Sequence, residues 1–517
     1  MLLHAGADSS LSDKEGLTAM LCAVKNGQCK AIKTLKEAGA DCSVPNKSGW
    51  TPMHWAAENG CAPAINTLKE VGFSVSECKG DPPWTPLHLA ALHGHGDVVR
   101  ALKTAGAYVP DGTLTPMCIA AKVGNADAVK LLIDAGFDVK EKSPTDQRHT
   151  GEEPIFFAAK NGHADVIKAL KDGGANPSVR DHYDHHPMYY AAKNGHAAAI
   201  RALKEAGALV SGLELDSRGN TPQSAGQYTG LFEAAEYGHA EAIKALYDVG
   251  VNLSERSADG STLMHISSAA GHVDAIKMLQ TLGADVSARD SEDRRPMHIA
   301  AIRGHVNVIK ILRALGADIS ARDKYGNTLM HFAAAVGKVE VLKFLHELQA
   351  DVSARDNLGR TPLFDACQEG HVEAIRALKD LGGSVAVKDN KKCTAVHLAA
   401  FHGHPLAIRT LKEFGVDISS KDILGNTPLH FAVSGEKVEA VRMLILLGGK
   451  LSAKNKEGKT PLSLAQSLMM SNSYRVNYLD GRYKYHGEPY TAEYLERKSR
   501  LITLTTMVRI LGNKGRY

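Results

Sequence analysis

Fourteen times along this 517-residue chain the same short motif begins again, at positions 18, 51, 85, 115, 153, 186, 229, 262, 295, 328, 361, 394, 427 and 460. The last eight starts are spaced by 33 residues without exception, whereas the earlier intervals are 33, 34, 30, 38, 33 and 43. No other feature restricts the fold so strongly. A unit of this length cannot bury an apolar face by itself, so each copy must be covered by its neighbours and the chain must form an array. Length agrees, because 517 residues exceed what one compact core accommodates.

Each copy reads as the same succession of elements. A stretch such as Asp323-Lys324-Tyr325-Gly326-Asn327 supplies a tight turn, the Thr that follows can cap a helix, and Pro suits the first helical position. A short Ala-rich helix follows, and Gly nine residues past the Thr (Gly94, Gly271, Gly304) ends it. A second helix carries apolar residues at helical spacing, as in Ile276, Met278 and Leu279, and Gly-Ala or Gly-Gly closes it. The period, together with Thr85-Pro86-Leu87-His88-Leu89-Ala90, resembles the ankyrin-repeat family over about 470 residues. The resemblance implies an all-α fold with short β-hairpin fingers, a solenoid of about 14 helix-turn-helix units.

Fifteen of the 24 histidines fall into two columns, seven of them three residues past the Thr and eight in the Gly-His pair ten past it. A catalytic group is not needed once per repeat. The resemblance implies that the first column bonds between neighbouring loops and the second ties down the turn between helices.

The irregularities divide the chain. Residues 1–12 match the end of a unit, suggesting an incomplete first repeat; 13–208 hold repeats of irregular spacing; 209–228 form an insertion; 229–470 keep the strict period; 471–517 form a Tyr-rich basic tail. The insertion is expected to be slack rather than a binding element, and to weaken coupling between the repeats on its two sides. In the tail, Leu501, Leu504, Val508 and Leu511 share one helical face before Gly512, which suggests a C-terminal cap over the last repeat rather than a partner-binding or membrane-surface helix.

Composition leaves few functional classes. Apolar residues make up 44% and the net charge is +4, so no anionic partner is demanded, and no stretch is apolar enough for a transmembrane segment. The first residues lack the pattern of a secretory leader. Eight cysteines without a CxxC pair read as reduced thiols of a cytosolic or nuclear protein, which would leave the sequons at Asn46 and Asn252 unused. Ala453 to Thr460 loosely follows a phosphate-binding loop, but Gly458 and Thr460 are the turn glycine and repeat threonine. Asp181-His182-Tyr183-Asp184-His185-His186 could ligate a metal, yet it occupies a finger and has no second ligand set. A basic residue recurs fifteen positions past the Thr in twelve of thirteen units from Lys33 to Arg442, Asn66 being the exception. Such a ridge could attract nucleic acid or anionic lipid, but acids three positions earlier in eight repeats favour a helix surface of paired charges.

These readings converge on a non-catalytic scaffold that binds one or more partner proteins, with no cofactor or metal, no nucleic acid and a monomeric chain. A regulatory portion of a larger enzyme or channel is the alternative, and polyanion binding by the basic ridge a third. The candidate anchors are aromatic. Trp50 and Trp84 precede the Thr and Trp55 follows it by four, positions elsewhere occupied by Arg294, Asn327, Arg360 and Lys459, or by Glu233 and Asp365. Non-core positions filled by tryptophan suggest an exposed patch, against a local packing role. Phe157, Tyr190, Phe332 and Phe431 share the later column, and Tyr183 and Tyr325 lie in fingers.

Overall fold

A computed structural model describes residues 8, 11–14, 16–40, 50–79, 84–110, 113–143, 151–210, 230–486 and 492–513. Among them are 28 helices and no sheet, and the helices pair off as fourteen first and second helices. Contacts gather the chain into two compact units, Met1–Arg256 with Asp274–Ala284, and Ser257–Val273 with Asp285–Tyr517.

Local sequence explains each pair. In Pro86–Leu92, Thr85 adopts extended backbone (φ −92°, ψ 163°) as the N-cap, Pro opens the helix, and Leu87, His88, Leu89, Ala90 and Ala91 are buried. The second helix, Gly96–Thr104, buries only Val98, Val99 and Leu102, so it covers the first with one stripe and turns Arg100 and Asp97 to water. Helices of seven to nine residues are marginal alone, so packing must hold them. Each buried Leu, Ile or Val supplies about 1.5–3 kcal/mol. Glycine is required where the two helices meet: Gly162 has φ +81°, and a Cβ there would lie 2.6 Å from His196 Nδ1 of the following repeat.

In the first unit the helix pairs stack in chain order. Stacking continues past the enlarged spacing: Pro187–Lys193 packs on Leu231–Glu236 and Ala197–Glu205 on Ala240–Asp248, as Ala164–Asp172 packs on Ala197–Glu205. The helices on either side of 209–228 thus keep the contacts of neighbouring repeats. Of that segment only Leu209 and Val210 are described, so 211–228 lies outside the described residues, as do Pro82 and Pro83.

The fingers are tight turns, closed by a single antiparallel bridge at Ser12–Thr18 and at Lys79–Trp84 among the described residues. In the finger of the tenth repeat one acid organises the turn: Asp323 N–H donates to the Asn327 carbonyl (3.0 Å), while Asp323 Oδ1 accepts from the Tyr325 and Asn327 amides at 2.9 and 2.7 Å. The same arrangement closes the finger of Lys454 to Lys459 through Asn455, so this stretch is a finger turn.

In the second unit the last pair is elongated. Pro461–His486 runs through the position where the tail was expected to begin, and Ala492–Gly512 packs against it and against Val438–Leu446. Leu504, Met507 and Leu511 are buried there, and Asn472 Nδ2 donates to the Arg497 carbonyl at 2.8 Å. Leu501 and Val508 lie half-buried at the edges of that face.

Candidate protein-binding surface

The repeated polar residues are committed to holding the stack together. Thr85 N–H donates to His88 Nδ1 at 2.9 Å, so Nδ1 carries no proton and Nε2 donates across to the Leu114 carbonyl at 2.7 Å. His265, His331, His397 and His430 repeat the pattern, reaching Arg294, Arg360, Asn426 and Lys459 at 2.9–3.3 Å. His54 reaches the Trp84 carbonyl at 3.0 Å and His298 the Ala321 carbonyl at 3.1 Å. Burial lowers the pKa of His54, His88, His298, His331, His397 and His430, to about 4 for His88 and His298. In the second column His95, His163, His196, His305 and His371 point Nε2 back to a carbonyl of the preceding first helix at 3.0–3.1 Å.

The basic ridge is committed too. Eleven of its twelve cations reach a carboxylate at 2.6–3.8 Å, and Lys310 lies 5.1 Å over the Phe344 ring. It is a row of surface ion pairs, each worth little, not an open cationic strip.

The seven described cysteines are free thiols, and burial pushes Cys118 and Cys393 up to about 12, far from thiolate at neutral pH. Asp181 closes its finger by accepting from the Tyr183 and His185 amides and also accepts the Tyr190 hydroxyl at 2.5 Å. Among the described residues no group of His, Cys, Asp or Glu is arranged to hold a metal.

The candidate anchors separate into three groups. Trp50, Trp55 and Trp84 are half-buried rather than an open patch. Trp50 stacks on His54, with centroids 5.3 Å apart and planes 18° from parallel, and His54 in turn bonds the Trp84 carbonyl. The Nε1 atoms of Trp55 and Trp84 are enclosed without a hydrogen-bond partner. Phe157 is buried, while Tyr190, Phe332 and Phe431 are half-buried seam residues. Phe332 and Phe431 pack edge-on against His298 and His397 of the preceding repeat, at 5.4 and 5.0 Å. Tyr190 has Phe156 against its edge and Lys160 4.3 Å above its ring, and burial together with the Asp181 bond pushes its hydroxyl pKa up. Tyr183 (64% exposed) and Tyr325 (54%) stand in water.

Sequence reasoning missed two things here. Asp365, in the seam column, has Oδ2 enclosed without a partner, and burial raises it to about 8, so it is largely uncharged at neutral pH. Leu358 and Leu424, with Ile423 beside the latter, are exposed fingertip residues; reading the column three positions before the Thr would have revealed the two leucines.

A scan against protein-family profiles matches ankyrin repeats (3 copies) in eight overlapping segments, 1–79, 73–143, 139–214, 209–290, 231–323, 289–356, 330–422 and 396–479. The chain belongs to the ankyrin-repeat family. No curated protein matches it in a sequence search. Ankyrin repeats generally serve as protein-interaction modules, which agrees with polar repeat positions devoted to packing and side chains of finger and seam free to vary. No helix among the described residues is long and apolar enough to cross a membrane.

Proposed function

We propose that this ankyrin-repeat chain is a non-catalytic scaffold that binds partner proteins through its fingers and the adjoining faces of its first helices, as a monomer in the cytosol or nucleus. The supporting observation is a division of labour within each repeat. The Thr, His and Gly positions serve the stack, whereas the positions one before and four after the Thr range from Trp through Arg and Asn to Glu and Asp. Function in such an array is carried by the positions that packing leaves unspecified. The concentration of all three tryptophans in two adjacent repeats marks the first place to look, since half-buried aromatic side chains are frequent interface anchors. The paired state of the basic ridge argues against polyanion binding there.

Replacing Trp50 and Trp84 with Ala tests this reading through two measurements, thermal stability and capture of the native partner. We expect capture to weaken by about 2 kcal/mol or more while folding is retained. Lost stability with intact capture would assign the indoles to finger packing alone.

A further inference from the structure

The fingertips of the second unit carry a pattern that packing does not require. Each finger is tied to the next by a backbone bond at one register: Asn357 N–H to the Tyr325 carbonyl, Asn390 to Leu358, Ile423 to Lys391 and Lys456 to Leu424, all at 2.9 Å. These bonds pin the residue three positions before each repeat Thr. The pinned side chains are Tyr325, Leu358, Lys391 and Leu424, and the three apolar ones are 54, 50 and 58% exposed, with Ile423 beside them at 46%. A second set of bonds stiffens the same row, in which Arg322 and Arg355 donate to the Arg355 and Lys388 carbonyls at 2.6 and 3.2 Å, and Lys421 to that of Lys454 at 2.8 Å.

Charge on this row is one-sided. Residues 322–327, 355–360, 388–393, 421–426 and 454–459 hold eleven Lys or Arg against five Asp or Glu, a larger excess than the +4 of the whole chain. Four of the five acids are the turn aspartates 323, 356, 389 and 422, whose Oδ1 atoms face the amides of their own turns. Lys391, Lys392 and Lys456 are exposed beside the apolar row, whereas Lys324 pairs with Glu292 at 2.8 Å.

We propose that these fingertips form a docking track for an extended acidic segment of a partner protein whose apolar residues recur at every third position. Stacked helices lie about 8–10 Å apart, so equivalent fingertip side chains recur at about that interval. In a polyproline-II-like extended chain, with three residues per turn and a rise of about 3.1 Å each, every third side chain returns to the same face after about 9 Å, which brings it onto successive fingers and leaves the acids between them towards the flanking lysines. The pinned backbone means little ordering cost on the scaffold side. This proposal rests on the protein-binding reading but uses a surface separate from the tryptophans.

The test is fluorescence anisotropy of the full chain with a labelled peptide of Leu-Asp-Thr repeats long enough to cover five fingers, a composition that disfavours helix. The control is a peptide of the same composition with its leucines clustered. We expect the periodic peptide to bind about tenfold tighter than the clustered one, and the double variant Leu358→Ser, Leu424→Ser to remove about that advantage. The Lys391→Glu, Lys392→Glu variant should weaken binding and flatten its salt dependence. Equal binding of both peptides, equal binding of polyglutamate or single-stranded DNA, or no effect of the leucine variant would overturn the track. The Trp50→Ala, Trp84→Ala variant should bind the periodic peptide normally, and loss in that variant would move the peptide to the tryptophan repeats and overturn the track as well.

Discussion

Where a histidine lies three residues past the repeat threonine position, it can bond in both directions only while it is neutral. Its Nδ1 accepts from the backbone amide of the capping residue, as in His88 and Thr85, and Nε2 donates to a carbonyl nearer the next repeat. Protonation converts the acceptor into a donor that faces an N–H. Burial depresses the folded pKa, to about 4 in His88 and His298, below the unfolded value near 6.5. A base with a depressed folded pKa contributes stability that is intact above the unfolded value and lost as pH falls from about 6.5 towards 4, because the unfolded chain then binds more protons. Thermal melts should therefore fall steeply across that window, with His88→Asn both less stable at pH 7, by on the order of 1–3 kcal/mol, and less pH-sensitive than the parent chain. A flat profile between pH 6.5 and 4 would contradict this.

Ala492–Gly512 takes the place of a second helix for the fourteenth repeat, at more than twice the usual length. It buries Leu504, Met507 and Leu511 and ties Arg500 to Glu436 by an ion pair. Those three side chains represent on the order of 5 kcal/mol of burial. Removing residues 490–517 should uncover the apolar faces of Val438–Leu446 and Pro461–His486, lower the melting temperature and promote aggregation, while binding at the tryptophan repeats stays unchanged. A truncated chain as soluble and heat-resistant as the full one would make this helix a recognition element instead of a cap.

Within an array, cooperativity depends on each interface being as good as its neighbours. The insertion before the seventh repeat does not interrupt the flanking helices, since Ala197–Glu205 meets Ala240–Asp248 and Arg201 reaches Asp248 at 3.8 Å. Hydrogen exchange should accordingly show the amides of 187–205 and 231–248 opening together, as one cooperative block. Two blocks with distinct opening energies on either side of the insertion would mean that the longer connection weakens coupling despite intact packing.

Much of this was legible in the residues because the constraint repeats. A threonine cap, a proline at the first helical position, a glycine that must take positive φ and an apolar stripe of period 3.6 are local requirements, and fourteen copies turn each into a column that can be read without coordinates. The histidine columns were legible for the same reason. Burial at the variable positions was not, because it depends on the neighbouring repeat: Phe157 and Tyr190 share a column with Trp55 and Asp365, yet one is buried, one is hydrogen-bonded to a finger acid, and one carboxyl is left without a partner. Trp50 was readable as a non-core position, but only the fold placed the His54 ring beneath it. The sequence by itself thus determined the unit, its number and its caps, which follow from forces acting within 33 residues. Tertiary packing decided which aromatic side chains it enclosed and which fingertips it left in water, because those depend on contacts between residues about one repeat apart.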